Sequence, residues 1–396
     1  MNILFLLKTI DTGGLEVVTS VLANKFAKEG HRVWVFAFLD GKNSIAGRLD
    51  ASIGLVMGEG YAPNRGNVDK LRRMLVENSV DVIINQWGLP LTPIRTARRA
   101  AKGLKVKIVS VYHNAPSFNG RIQGVCIKLD TCENSFRRLL LKALREAYRA
   151  VTSCAMRYVY EKSDLFLVLS EGYRKEFQEF TGVKNLGKLG VMPNPVTVDT
   201  ENFRYDAQGK HLEIIYVGRL DFVQKRVYRI INIWNYLEEQ FPGWHLTIVG
   251  DGEDRANLER HTNALGLKRV FFEGFKAPVD YYRRASILML TSDFEGFPLV
   301  LAECMSFGVV PMVYHSFAAV EDVLDDGCNS LVIPYSASHF PTQEVTRRLS
   351  ALMKDPDRLN TMAEVAMCKS RQFGIEGIYG KWMEVLSKVC HEPSRM

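Results

Sequence analysis

The chain has 396 residues, of which 47% are hydrophobic and 24% charged, and its formal net charge is +7. That length exceeds one ordinary core and that balance excludes a disordered chain, so two domains are expected. The modest positive charge suits phosphates, acidic surfaces or simple solubility equally and assigns no partner by itself.

The apolar start, Met1 to Lys8, lacks a basic leader and runs into Thr12-Gly13-Gly14 rather than a small-residue cleavage site, so it reads as a buried first strand. No stretch approaches the roughly 18 apolar residues that span a bilayer, which leaves only peripheral membrane contact. Further strands are expected at Val33 to Phe38, Val82 to Ile84, Lys107 to Val111 and Leu165 to Leu169, most followed by a helical pattern. Gly13-Gly14, between the first strand and a helix beginning near Leu15, can present backbone amides to a phosphate, although glycines there also serve merely to turn the chain. His113 closes a strand, where it faces a ligand edge or acts as a structural hydrogen-bonder. The stretch from Asn114 to Glu133 reads as a long irregular loop able to shape an acceptor pocket. From Phe136 to Tyr158 the pattern is an amphipathic helix: Phe136, Leu140, Leu144, Ala147, Val151 and Tyr158 share one face, and Arg138, Lys142, Arg145 and Arg149 the opposite one. The basic face is either solvated or set against anionic lipid or a phosphate-bearing acceptor.

Met192-Pro193-Asn194-Pro195-Val196 and the polar stretch to Lys210 carry no period, and two prolines forbid a helix, so residues 193–210 read as a hinge. Beyond it the strand and helix rhythm resumes, with strands expected at Glu213 to Val217, His245 to Val249, Val270 to Glu273, Ile287 to Leu290, Val309 to Val313 and Ser330 to Ile333. The fold class is therefore α/β, with two Rossmann-like, doubly wound domains, residues 1–192 and 211–373. Residues 374–396 form a C-terminal helix and tail that can pack back across to the first domain. Seven scattered cysteines without a C-x-x-C pair read as reduced thiols of a cytosolic protein. Neither a metal site nor a cofactor is expected.

Within the second domain, Gly218-Arg219-Leu220 ends a strand, and Arg219 with Lys225 supplies a fork and a point charge suited to a diphosphate, or else an ordinary solvated surface. Gly250-Asp251-Gly252 imitates a dinucleotide fingerprint, but Arg255 stands where the third glycine belongs. The segment from Thr291 to Glu303 follows a strand and opens a helix at Pro298, so Gly296 and Phe297 lie where an anion or sugar hydroxyl can be met. Glu303 lies where its carboxylate can accept from a vicinal diol. The plain alternative is a helix start with one exposed and one salt-bridged acid.

In this order, Gly13-Gly14, Val168-Leu169-Ser170-Glu171, Pro193-Asn194-Pro195, Gly218-Arg219-Leu220 with Gln224-Lys225, Gly250-Asp251-Gly252, Phe272-x-Gly274 and the Glu295 to Glu303 spacing resemble the retaining glycosyltransferases of family 4, which have the GT-B fold. The resemblance implies two domains facing a central cleft, the first binding acceptor and the second a nucleotide diphosphate-sugar, with UDP-hexose the default donor. It implies that Arg219 and Lys225 hold the diphosphate, that Glu303 binds the ribose, and that Glu295, Gly296, Phe297 and Pro298 lie at the transferred sugar. His113 is similar to the family's donor-sugar histidine, and Phe275 to a position whose backbone meets the base. Ser170 and Asn194 would line the cleft. Tyr228 departs from the acidic residue often seen after the Lys-Arg pair. The implied reaction is metal-independent transfer to a glycan or lipid-linked glycan in polysaccharide or lipopolysaccharide biosynthesis, by a cytoplasmic protein that can sit on the inner face of the membrane. A non-catalytic nucleotide-sugar or glycan-binding subunit of an assembly complex is the other reading. No nucleic-acid partner is expected.

Overall fold

Apolar runs without alternation form strands only where both faces of a sheet are covered, and in the computed structural model Ile3-Leu4-Phe5-Leu6-Leu7 is buried end to end. Residues 1–391 are described here, apart from Asn43, Thr131 and Ala337 and the side chains of Asp130 and His391. The chain forms two units: Met1–Thr197 together with the segment from Phe373 onward, and Val198–Gln372.

The first unit holds a seven-stranded sheet of β1 (Asn2–Thr9), β2 (Arg32–Leu39), β3 (Gly54–Met57), β4 (Val82–Asn85), β5 (Lys107–Val111), β6 (Leu165–Val168) and β7 (Leu189–Val191). The order is β3-β2-β1-β4-β5-β6-β7, and every pairing is parallel. The second unit has six strands: β8 (Glu213–Val217), β9 (His245–Val249), β10 (Val270–Gly274), β11 (Ile287–Leu290), β12 (Val310–Tyr314) and β13 (Leu331–Ile333). They lie in the order β10-β9-β8-β11-β12-β13, again all parallel. Both sheets are parallel and doubly wound, as expected.

Two strands escape the sequence reading. β3 and β7 are four and three residues long, and each includes a glycine that lowers strand propensity. β7 finds its place through parallel pairing with β6, from Phe166 with Leu189 to Val168 with Val191.

The stretch from Asn114 to Glu133 is not irregular throughout, because Gly120–Asp130 is a helix. The Asn119 side chain accepts from the N–H groups of Arg121 and Ile122, at 3.0 and 3.1 Å, which caps its start. Ile122, Val125 and Leu129 are buried at helical spacing, a signal masked by Gly120 and Gly124.

Helix Ile375–His391 belongs to the first unit and packs on helix Gly14–Lys28. Lys25 is buried there between Glu29 and Glu376, at 2.7 and 2.6 Å. The Tyr379 hydroxyl lies 3.0 Å from His31 Nε2. The end of the expected tail, residues 392–396, lies outside the described residues.

Candidate functional site

In the second unit β8 and β11 are neighbours whose connections depart toward opposite edges, and at such a switch point the loops diverge to leave room for a ligand. The loop after β8 carries Gly218, Arg219, Gln224 and Lys225; the segment after β11 carries Thr291 to Glu303. The structure ties them together. The Asp293 N–H donates to the Gln224 carbonyl at 2.8 Å. The Gln224 side-chain amide donates to the Phe294 carbonyl at 3.0 Å and to Glu295 Oε2 at 3.3 Å. Lys225 Nζ lies 2.6 Å from Glu295 Oε1, and both side chains are largely buried. Arg219 is 62% exposed, held by Asp221 at 3.1 Å and by Gln224 Oε1 at 3.2 Å. Two cations are thus fixed at one sheet edge through Gln224 and Glu295.

Behind them stands a brace that the sequence reading missed. Asp293 binds Arg226 Nε at 2.7 Å and Arg229 Nη1 at 2.6 Å, with all three side chains mostly buried. Arg226 has φ +52°, a left-handed backbone uncommon for a residue with Cβ. Its carbonyl accepts from Thr291 Oγ1 at 3.2 Å, which ties the bend to the loop after β11.

Gly250 acts through its missing side chain, since a Cβ there would collide with the Gly218 carbonyl oxygen. The Gly250 N–H donates to Gly274 at 2.8 Å, and the Gly218 N–H to Val249 at 3.0 Å, so three strand ends close on one another. Phe275 follows directly and is exposed. Gly296, Phe297 and Pro298 are buried, and helix Leu299–Ser306 begins after them without a side-chain cap. Glu303, on that helix, is buried and accepts from the Tyr282 hydroxyl at 3.2 Å.

The first unit has its own switch point, between β1 and β4. A cavity of about 550 Å³ is lined there by Gly13, Gly14, Glu16, Gln86, Trp87 and His113, among others. Burial pushes the His113 ring down to about 3, so it is neutral near pH 7. His113 Nε2 lies 2.7 Å from Gln86 Oε1, an atom that only accepts; Nε2 therefore carries the proton. Nδ1 is left an acceptor without a partner among the described residues, as are the Gln86 Nε2 and Trp87 Nε1 donors. Sequence reasoning passed over Gln86 and Trp87, although they follow a strand end as His113 does. Ser170 and Asn194 are buried elsewhere in this unit and do not line the cavity.

Glu16 turns back on the Gly13-Gly14 loop, where a Cβ on Gly13 would stand 2.6 Å from Glu16 Oε2. Burial pushes this carboxyl up to about 7, against its own backbone N–H, which favours the charged form. Between pH 4.5 and about 7 the folded protein keeps a proton that the unfolded chain releases, so stability falls as pH rises through that window. Glu16→Gln has no such proton to lose. Its thermal midpoint relative to the parent should therefore climb from about pH 5 to about pH 8, by the equivalent of roughly 1 to 3 kcal/mol. A midpoint difference that ignores pH would contradict the burial of this carboxyl.

Among the described residues no three His, Cys, Asp or Glu side chains gather as a metal site requires.

Two family models match the chain in tandem: "Glycosyltransferase Family 4" over residues 12–200 and "Glycosyl transferases group 1" over residues 198–367. An uncharacterized glycosyltransferase of Haemophilus influenzae is 26% identical, covering 96% of this chain and 98% of its own. The lipopolysaccharide 1,6-galactosyltransferase of Salmonella typhimurium is 29% identical over 42% of this chain and 47% of its own. Among solved structures, Anabaena HepE in complex with UDP superposes with a TM-score of 0.75 at 19% identity, covering 98% of this chain and all of the other.

Proposed function

We propose that this chain, which belongs to the family 4 glycosyltransferases of the GT-B fold, moves a hexose from a UDP-sugar to a glycan or lipid-linked glycan with retention at the anomeric carbon. The observation that carries the reading is the pair of cations, Arg219 and Lys225, held at the β8/β11 switch point beside Glu295. The galactosyltransferase relative and the UDP-bound neighbour support the choice of hexose and base.

In this reading the diphosphate lies against Arg219 and Lys225, and the ribose diol donates to Glu303. Gly296, Phe297 and Pro298 border the sugar, and Phe275 borders the base. The anomeric C–O bond breaks with its electron pair going to the diphosphate oxygen, and the two cations stabilise the charge that grows there, without a metal. The acceptor hydroxyl forms the new C–O bond on the same face of the sugar and gives its proton to the departing phosphate. Glu295 is already engaged with Lys225 and Gln224, so its part is to aim the lysine rather than to attack. On the first unit, the neutral His113 accepts from a sugar hydroxyl through Nδ1, and the cavity beside Gly13 and Gly14 takes the acceptor.

Calorimetry with UDP tests the donor assignment. The parent should bind, and Glu303→Gln should bind roughly 10- to 100-fold more weakly, as expected for hydrogen bonds to a charged acceptor. Equal affinities would remove Glu303 from the donor site, and no binding of UDP by the parent would remove uridine as the base.

A further inference from the structure

Helix Ser135–Lys162 is an amphipathic element whose apolar face points the unexpected way. At 100° per residue Phe136, Leu140, Leu144, Ala147 and Val151 fall within roughly 80° of arc, and that arc faces solvent. Phe136 is 72% exposed and Val151 66%, and Leu140 and Leu144 are exposed between them, with Leu139 alongside. Of the basic face expected to meet solvent or lipid, Arg145 and Arg149 turn toward the body of the unit, while Arg138 and Lys142 stay exposed. Arg149 lies over the Phe180 ring at 5.3 Å, and Met156 and Val159 are buried near that side. Arg145 and Arg149 are engaged with Glu146 at 2.8 and 3.6 Å.

An exposed stripe of one phenylalanine, three leucines and a valine is costly in water and marks a surface that something covers. The charges beside it select the partner. Arg137 borders the stripe on one side and Lys142 on the other, both exposed, and the helix carries seven basic side chains against two acidic ones. A second copy of the chain docked stripe to stripe would set these cations against like cations. A bilayer with acidic headgroups takes the apolar side chains between its acyl chains and the flanking cations at its phosphates. Among the described residues no helix is long and apolar enough to cross a membrane, so this contact lies in the plane of the surface.

We propose that the face formed by Phe136, Leu140, Leu144 and Val151 docks the protein on an anionic lipid surface. This is independent of the donor chemistry, because it uses no residue of either switch point.

Co-sedimentation tests it, with vesicles of phosphatidylcholine alone and of phosphatidylcholine mixed with phosphatidylglycerol. The parent should pellet with the mixed vesicles and remain in solution with the neutral ones. The triple variant Phe136→Ser, Leu140→Ser, Val151→Ser should lose on the order of tenfold or more in partitioning, while keeping the parent's thermal midpoint because these side chains are exposed. In Phe136→Trp, the indole emission should shift to shorter wavelength only with the mixed vesicles. A parent that stays in solution with the mixed vesicles, a triple variant that pellets like the parent, or an unshifted indole would overturn the proposal. So would sedimentation showing a parent dimer that the triple variant abolishes.

Discussion

Lys225→Ala is expected to lower kcat by about 100-fold or more, the range seen when one preorganised donor is removed from a site of developing negative charge. The loss has two sources. In the proposed reaction the leaving diphosphate loses a cation, and Glu295, buried and 2.6 Å from that ammonium, loses its charged partner. The double variant Lys225→Ala, Glu295→Gln separates them. It should regain the stability lost through the stranded carboxylate, read as thermal midpoint, and leave turnover low. Initial rates of nucleoside diphosphate release supply the kinetic reading, and a kcat within twofold of the parent would mean that Lys225 does not face the leaving group.

Asp293→Ala should act on the fold more than on the chemistry. The carboxylate binds Arg226 and Arg229 together, and its removal leaves two largely buried guanidiniums without it. Breaking a buried charge pair from one side typically costs about 3 to 5 kcal/mol. Because Arg226 also adopts φ +52° next to Lys225, the loop after β8 should loosen as well. Denaturant unfolding would read the first effect and UDP affinity the second. Asp293→Asn, which keeps one acceptor for an arginine, should be milder; equal losses in the two variants would show that the negative charge alone, and not the retained acceptor, holds the two arginines.

The architecture was legible because parallel strands are buried on both faces and so print as unbroken apolar runs, such as Ile214-Ile215-Tyr216 or Ile287-Leu288-Met289-Leu290. What escaped had weak local signal: β3 and β7 are held by their neighbours rather than by propensity, and the helix after Asn119 is diluted by two glycines. At the candidate site, strand ends and glycines marked the loops of the two switch points, yet no spacing could pair Lys225 with Glu295 across 70 residues, or Asp293 with its two arginines. Periodicity likewise drew the two faces of helix Ser135–Lys162 without saying which one the unit would cover. That depends on residues such as Phe180, which belong to another element and approach only in the folded chain.

Turnover is the most direct test of the whole account. Purified protein, given UDP-hexoses and a lipid-linked glycan in the presence of excess chelator, should release UDP in step with a new α-linkage when the donor sugar is α-linked. Release that needs a divalent cation, or a product of inverted configuration, would contradict the proposed chemistry; no release from any nucleotide sugar, with or without acceptor, would contradict the donor site itself.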